Sequence, residues 1–187
     1  MTATLELSKT SRGFGIGEFA DAKGVACSIQ DSSLATEAAI WFGVQKANPQ
    51  RLEGDTLVAV NPPVEPIPME GWPGMTHDIL YNTRMHLTIR NVKTLIRNFE
   101  KFLETKTVRK RIFVDRYRSV CSIRLTDNCI ELGCDDAHPQ ICDRGWRPVE
   151  FPEGTIFTTH MFLGELEVKA LLPTMRRFAG GGYVTEP

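Results

Sequence analysis

The sequence lacks a surplus of charge of either sign, any membrane-length apolar run and any Cys-x-x-Cys pair, and it has only three tyrosines and three tryptophans. Its 22 Lys and Arg against 23 Asp and Glu leave a formal charge of −1, without the basic excess that marks a nucleic-acid-binding domain. No stretch approaches the roughly 18 apolar residues of a membrane span, and no basic residue precedes an apolar run between Met1 and Thr10, so neither a spanning nor a secreted protein is expected. The five cysteines, Cys27, Cys121, Cys129, Cys134 and Cys142, cannot all pair, which points to reduced thiols in a cytosol. What remains is a chain of 187 residues, 42% apolar and 24% charged. That composition belongs to a globular protein of one ordinary domain or two small ones.

The chain resembles itself. Phe19-Ala20-Asp21 followed by Cys27-Ser28-Ile29 recurs as Phe113-Val114-Asp115 and Cys121-Ser122-Ile123, at an offset of 94. Ile40 to Gly43 with Asn48-Pro49-Gln50 matches Ile130 to Gly133 with His138-Pro139-Gln140 at an offset of 90. Thr83 to Leu87 with Val92, Leu95 and Phe102 matches Thr159 to Leu163 with Val168, Leu171 and Phe178 at an offset of 76. Self-similarity at this scale predicts a duplicated unit. The largest length difference falls at 51–74, which holds Pro62, Pro63, Pro66, Pro68 and Pro73. Proline supplies no backbone donor, so an extended surface loop is expected there rather than paired strands.

Apolar alternation predicts hairpins over 19–29 and 112–123, third strands over 38–44 and 128–134, and fourth strands over 83–87 and 159–163. Apolar residues three and four apart from Ile89 to Leu103 define a helix with Thr88 as its cap. A matching helix carries Val168, Leu171, Leu172, Met175 and Phe178, with Pro173 expected to kink or split it and Gly180 to Gly182 to end it. The expected fold class is α+β: two tandem repeats, each a small antiparallel sheet followed by one carboxyl-terminal helix. The boundaries read as a leader over 1–18, a first repeat over 19–105, a basic linker over 106–111 and a second repeat over 112–184.

Candidate chemistry is sparse. Cys121, Cys129, Cys134, His138 and Cys142 have a flavour of zinc ligands, but the close cysteine pairs of structural zinc sites are missing and only Cys121 has a counterpart in the first unit, Cys27, so buried thiols and no metal are expected. Cys27, Cys121, Ser28 and Ser122 recur without a recurring histidine, because His86 aligns with Phe162 and His160 with Arg84; no shared nucleophile and base follow. The Arg12 to Gly17 run lacks the lysine and the strand-to-helix setting of a phosphate loop. Ser32, Ser33, Thr36 and Glu37 lie in a connection that the second unit shortens, and read either as a turn or as ligand donors. Trp72, Arg84 and His86 read either as core or, with those loop residues, as a recognition surface. Lys106, Arg109, Lys110 and Arg111 form the one dense basic run, a solvated linker or a phosphate-contacting patch.

The string Phe19-x-Asp21-x-x-Gly24-x-x-Cys27-Ser28-Ile29-Gln30-x-Ser32-Ser33-Leu34-Ala35-Thr36-Glu37-x-x-Ile40-Trp41-x-Gly43, with Thr83-Arg84-Met85-His86-Leu87, resembles small uncharacterised bacteriophage and prophage proteins that carry the motif once. The second unit departs from it at Arg124 to Asn128 and at Phe162. The resemblance implies viral origin and the cytoplasm of a bacterial host, and it brings no activity and no cofactor. The leading expectation is a non-enzymatic binding protein that engages a host protein to block a defence system. The alternative is a sponge for a small nucleotide-type signal held by Arg84, His86, Ser32 and Ser33; a thiol- or metal-dependent enzyme ranks third, and nucleic acid is not an expected partner.

Overall fold

The computed structural model describes residues 5–33, 36–71, 73–142 and 145–185. Four strands open the chain: β1 (Glu6–Lys9), β2 (Gly15–Ala20), β3 (Ala26–Asp31) and β4 (Ala39–Val44). Two short hairpins follow, β5 (Gln50–Glu53) with β6 (Thr56–Ala59) and β7 (Ile67–Pro68) with β8 (Thr76–His77), before β9 (Arg84–Thr88) runs into helix α1 (Ile89–Thr105). Then come β10 (Arg111–Val114), β11 (Val120–Thr126), β12 (Cys129–Cys134), the hairpin of β13 (Gln140–Cys142) and β14 (Trp146–Pro148), β15 (His160–Leu163) and helix α2 (Glu165–Gly181). The two larger sheets are antiparallel, ordered β1-β2-β3-β4-β9 and β10-β11-β12-β15.

This architecture corrects the expected fold class. Among the described residues the chain is mostly β, 39% strand against 19% helix, with five sheets and two helices rather than two small sheets each followed by a helix. The extra strand comes from segments read as irregular. The stretch expected as a leader over 1–18 holds β1 and the start of β2, and the proline-rich stretch over 51–74 carries paired strands. Proline tolerates this because β7 is a two-residue strand in a two-stranded ribbon, where a missing donor costs little. Pro173 does not split α2, which runs unbroken from Glu165 to Gly181 and ends on Gly182 in a left-handed conformation.

Strand alternation sends Cys27, Ile29, Phe42, Met85 and Leu87 from one sheet, and Cys121, Ile123, Leu132, Met161 and Leu163 from the other, into a single buried cluster. The helices complete it with Val92, Leu95, Phe99 and Phe102 from α1 and Val168, Leu171, Met175 and Phe178 from α2. Thr88 and Asn91 cap α1 reciprocally: the Thr88 side chain accepts from the Asn91 backbone and the Asn91 side chain accepts from the Thr88 backbone. Among the described residues, neither helix is long and apolar enough to cross a membrane.

The two sheets are tied at their last strands by a reciprocal contact. After β2, the Asp21 carboxylate accepts from the backbone of Lys23 and Val25 at 2.9 and 2.8 Å, and from Phe162 of β15 at 2.9 Å. After β10, the Asp115 carboxylate accepts from Tyr117 and Ser119 at 2.8 and 2.9 Å, and from His86 of β9 at 3.0 Å. The next residue finishes each link: Ala22 N–H donates to the Phe162 carbonyl and Arg116 N–H to the His86 carbonyl. Each turn thus extends the opposite sheet by one short step.

Close approach fixes two glycines in the middle of the sheets. A Cβ on Gly133 would sit 2.1 Å from the Thr159 carbonyl oxygen, and one on Gly43 would sit 2.9 Å from both the Thr83 carbonyl oxygen and the Arg84 Cα. Gly133→Ala is therefore expected to cost about 2–3 kcal/mol in urea unfolding. Gly180→Ala, in a helical position with nothing within 4 Å, is expected to stabilise by up to about 1 kcal/mol.

Candidate binding site

The face of the first sheet that points away from the core gathers most of the residues singled out from sequence. β9 places Arg84 and His86 on that face, and register puts Trp41 opposite His86 and Gly43 opposite Arg84. The Arg84 guanidinium donates to Gln30 Oε1 at 3.0 Å and lies 3.4 Å from Ser28 Oγ, with its carbon 5.9 Å from the Trp41 ring. Burial pulls it below the usual guanidinium range.

His86 is fully buried. Its ring stacks on Trp41 at 4.2 Å and on Tyr117 at 4.8 Å, and Trp41 and Tyr117 lie 5.7 Å apart. Its Nε2 meets Ser32 Oγ at 2.9 Å, while among the described residues its Nδ1 is a buried atom with no hydrogen-bond partner. Burial first, and then the Arg116 charge, push the imidazole down to about 4. Next to it, Arg116 binds Glu37 at 2.5 Å and Thr36 Oγ1 at 2.9 Å. Ser32, Thr36, Glu37, Arg84 and His86 are thus brought into one neighbourhood, but mostly to serve one another. Ser33 is exposed beside them, and Trp72 lies outside the described residues.

The basic run is elsewhere. Lys106 caps α1 in a left-handed conformation and pairs with Glu165 of α2. Arg109 and Lys110 are exposed, and Arg111 opens the edge strand β10.

The corresponding outer face of the second sheet holds Ser122, Asp135 and His160. Ser122 Oγ lies 3.1 Å from His160 Nε2 and 3.0 Å from Asp135 Oδ1, and Asp135 is also 3.5 Å from the same Nε2. A nucleophile relay needs the carboxylate on the far ring nitrogen so that the near one can accept the hydroxyl proton. Here Nδ1 instead meets Thr159 Oγ1 at 3.1 Å, so the geometry is that of a hydrogen-bonded strand surface. The recurring thiols are equally unsuited to attack. Cys27 and Cys121 are buried, Cys121 lies 3.9 Å from the Cys134 sulfur, and both thiols are pushed upward, Cys27 by burial and Cys121 by its contact with Cys134 and by burial. Among the described residues, no group of three or more His, Cys, Asp or Glu converges to hold a metal ion.

An open groove of about 620 Å³ runs beside the His86 cluster, where the two halves meet. Trp41, Leu80 and Asn82 come from the first half, and Tyr117, Arg118 and Trp146 from the second. Leu80, Tyr117 and Trp146 are 53%, 52% and 61% exposed, a concentration of apolar surface in a concave, polar-rimmed setting. Sequence reasoning missed Tyr117, Leu80 and Trp146 as site residues. Trp146 stands at an offset of 74 from Trp72, close to the 76 that relates the strands after them, and Tyr117 has no aromatic counterpart in the first half, where Lys23 covers Phe162 at 3.2 Å. No family model matches the chain, and no curated protein or solved structure matches it either.

Proposed function

We propose that this chain is a non-catalytic binding protein that engages a protein of a bacterial host. The reading rests on one observation, the groove in which exposed Trp146, Tyr117 and Leu80 converge beside Arg118. Tryptophan, tyrosine and arginine are the residue types that dominate binding energy at protein interfaces, most of all when clustered in a concave patch. The buried, protonated thiols and the Ser122 geometry favour binding over covalent chemistry. The engagement of Arg84 Nη1 by Gln30 and Ser28, and of His86 Nε2 by Ser32, favours a protein over a small nucleotide, because these polar groups already hold neighbours on their own sheet. The likeness to phage proteins suggests a defence component as the partner.

The test is affinity capture from bacterial lysate with the wild-type chain and with a Tyr117→Ala, Trp146→Ala double variant of unchanged melting temperature. A stoichiometric partner should be retained by the wild type and its affinity reduced at least about tenfold in the variant. Equal retention by both, or no partner together with a melting-temperature rise on adding nucleotides, would overturn the reading.

A further inference from the structure

We propose that the outer edge of β10 is a docking site for an extended, acidic segment of a partner protein, which adds to the second sheet as a fifth strand. The inference goes beyond the aromatic groove and does not depend on it. In the first sheet the position next to β2 is taken by β1, whose Leu7 side chain, with that of Leu5 just before it, lies over Gly17. In the second sheet β10 holds the place of β2: Phe19 pairs with Cys27 and Gly17 with Ile29, as Phe113 pairs with Cys121 and Arg111 with Ile123. Among the described residues no strand pairs with the other side of β10. An open edge offers a row of backbone donors and acceptors to an incoming strand.

The surroundings of that edge say what kind of strand fits. Two adjoining clefts of about 380 and 290 Å³ separate β10 from α1, with Ile112, Phe113 and Val114 along the strand. Arg90, Arg97, Lys101, Arg109 and Arg111 line them, and among the described residues none of these five cations forms an ion pair. In a chain of net charge −1 this is a local concentration of positive charge beside an apolar strand, the complement of a segment that alternates carboxylates with apolar residues. A second copy's β1 does not fit. The register that places Leu7 opposite Gly17 would place it opposite Arg111, and Lys9, which faces Gly15 in its own sheet, would face Arg109. Exposed Ile112 and Val114, 68% and 55% accessible, give an apolar face that a polyanion such as RNA would leave unused.

The probe is a short fluorescein-labelled peptide of alternating Glu and Val, with the Lys and Val analogue and an oligothymidylate as comparisons. The acidic peptide should bind the full chain, and the Arg97→Glu, Lys101→Glu double variant, altered only on the exposed side of α1, should weaken it roughly tenfold or more. Peptide addition should slow amide exchange within Ile112 to Val114, which charge adsorption alone would not do. Tyr117→Ala with Trp146→Ala should leave this binding unchanged, which separates the two sites. No binding of the acidic peptide at about 1 mM, tighter binding of the oligothymidylate without amide protection, or protection that appears with chain concentration and dimerisation instead of with peptide would each overturn the proposal.

Discussion

Asp115→Ala is expected to lower the unfolding free energy by about 3–5 kcal/mol. The Asp115 carboxylate is buried and accepts from three backbone N–H groups, those of Tyr117, Ser119 and His86. Removing it strands all three, at about 1–3 kcal/mol for each donor that water cannot reach. Water reaches the turn more easily than the strand, because Tyr117 is half-exposed and His86 is buried, so the sum falls short of three full penalties. Asp21→Ala, with the same three-donor arrangement on Lys23, Val25 and Phe162, should cost a similar amount. An asparagine in either place should recover only part of the loss, since its amide nitrogen presents a donor where one of the backbone donors needs an acceptor. Urea unfolding at neutral pH measures the effect. Amide exchange localises it, because Asp115→Ala should release the His86 amide before that of Phe162. A loss below about 1 kcal/mol would show that the links between the sheets are incidental.

His86→Phe is expected to make stability less dependent on pH between about 6.5 and 4. In the folded chain the imidazole stays neutral down to about 4, held there by burial and then by Arg116, whereas in the unfolded chain it takes up a proton near its ordinary value of about 6.5. Over that window the unfolded state binds more protons, so stability falls as pH falls. The loss from this residue is on the order of 2–3 kcal/mol by pH 4 and absent above about pH 7. Phenylalanine removes that contribution and the unpartnered Nδ1 together, at the expense of the Ser32 hydrogen bond. Near neutral pH the variant should lie within about 1 kcal/mol of the wild type. The equivalent strand position in the second sheet, Phe162, already carries that side chain beneath Lys23. Because burial also lowers His160, the wild-type curve alone mixes two histidines, and the difference between variant and wild type is the informative quantity. Parallel curves from pH 7 to pH 4 would refute it.

Local pattern carried much of this molecule and tertiary arrangement little. The strands over 38–44, 83–87, 128–134 and 159–163 and the helix that starts after Thr88 follow from alternation, from three-and-four spacing and from a cap, and the structure has β4, β9, β12, β15 and α1 there within a residue or two. The class did not follow, because hydrophobic period is silent about short polar ribbons. β1 is exposed at all four positions, and β5 to β8 bury almost nothing. At the site, Arg84, His86 and Ser32 stood out by residue type, yet type cannot tell whether a polar side chain faces solvent or a neighbour. The signal for Asp21 and Asp115 was present, since an acid two residues after a phenylalanine and six before a cysteine recurs unchanged. Its meaning was not, because a carboxylate that accepts from its own turn looks the same in sequence whether or not a third donor arrives from a strand far along the chain.

That third donor has a consequence for how the molecule is made. Asp115 finds His86 already synthesised, 29 positions earlier, whereas Asp21 must wait 141 positions for Phe162. Asp31, which already holds the Gly15 amide, waits 153 for Val184. During translation the first sheet therefore leaves the ribosome with two buried carboxylates lacking their distant donors, and it completes its bonding only when the tail that follows α2 has emerged. A nascent chain halted before that point should be soft to protease at β2 and β3, and it should harden in one late step rather than sheet by sheet.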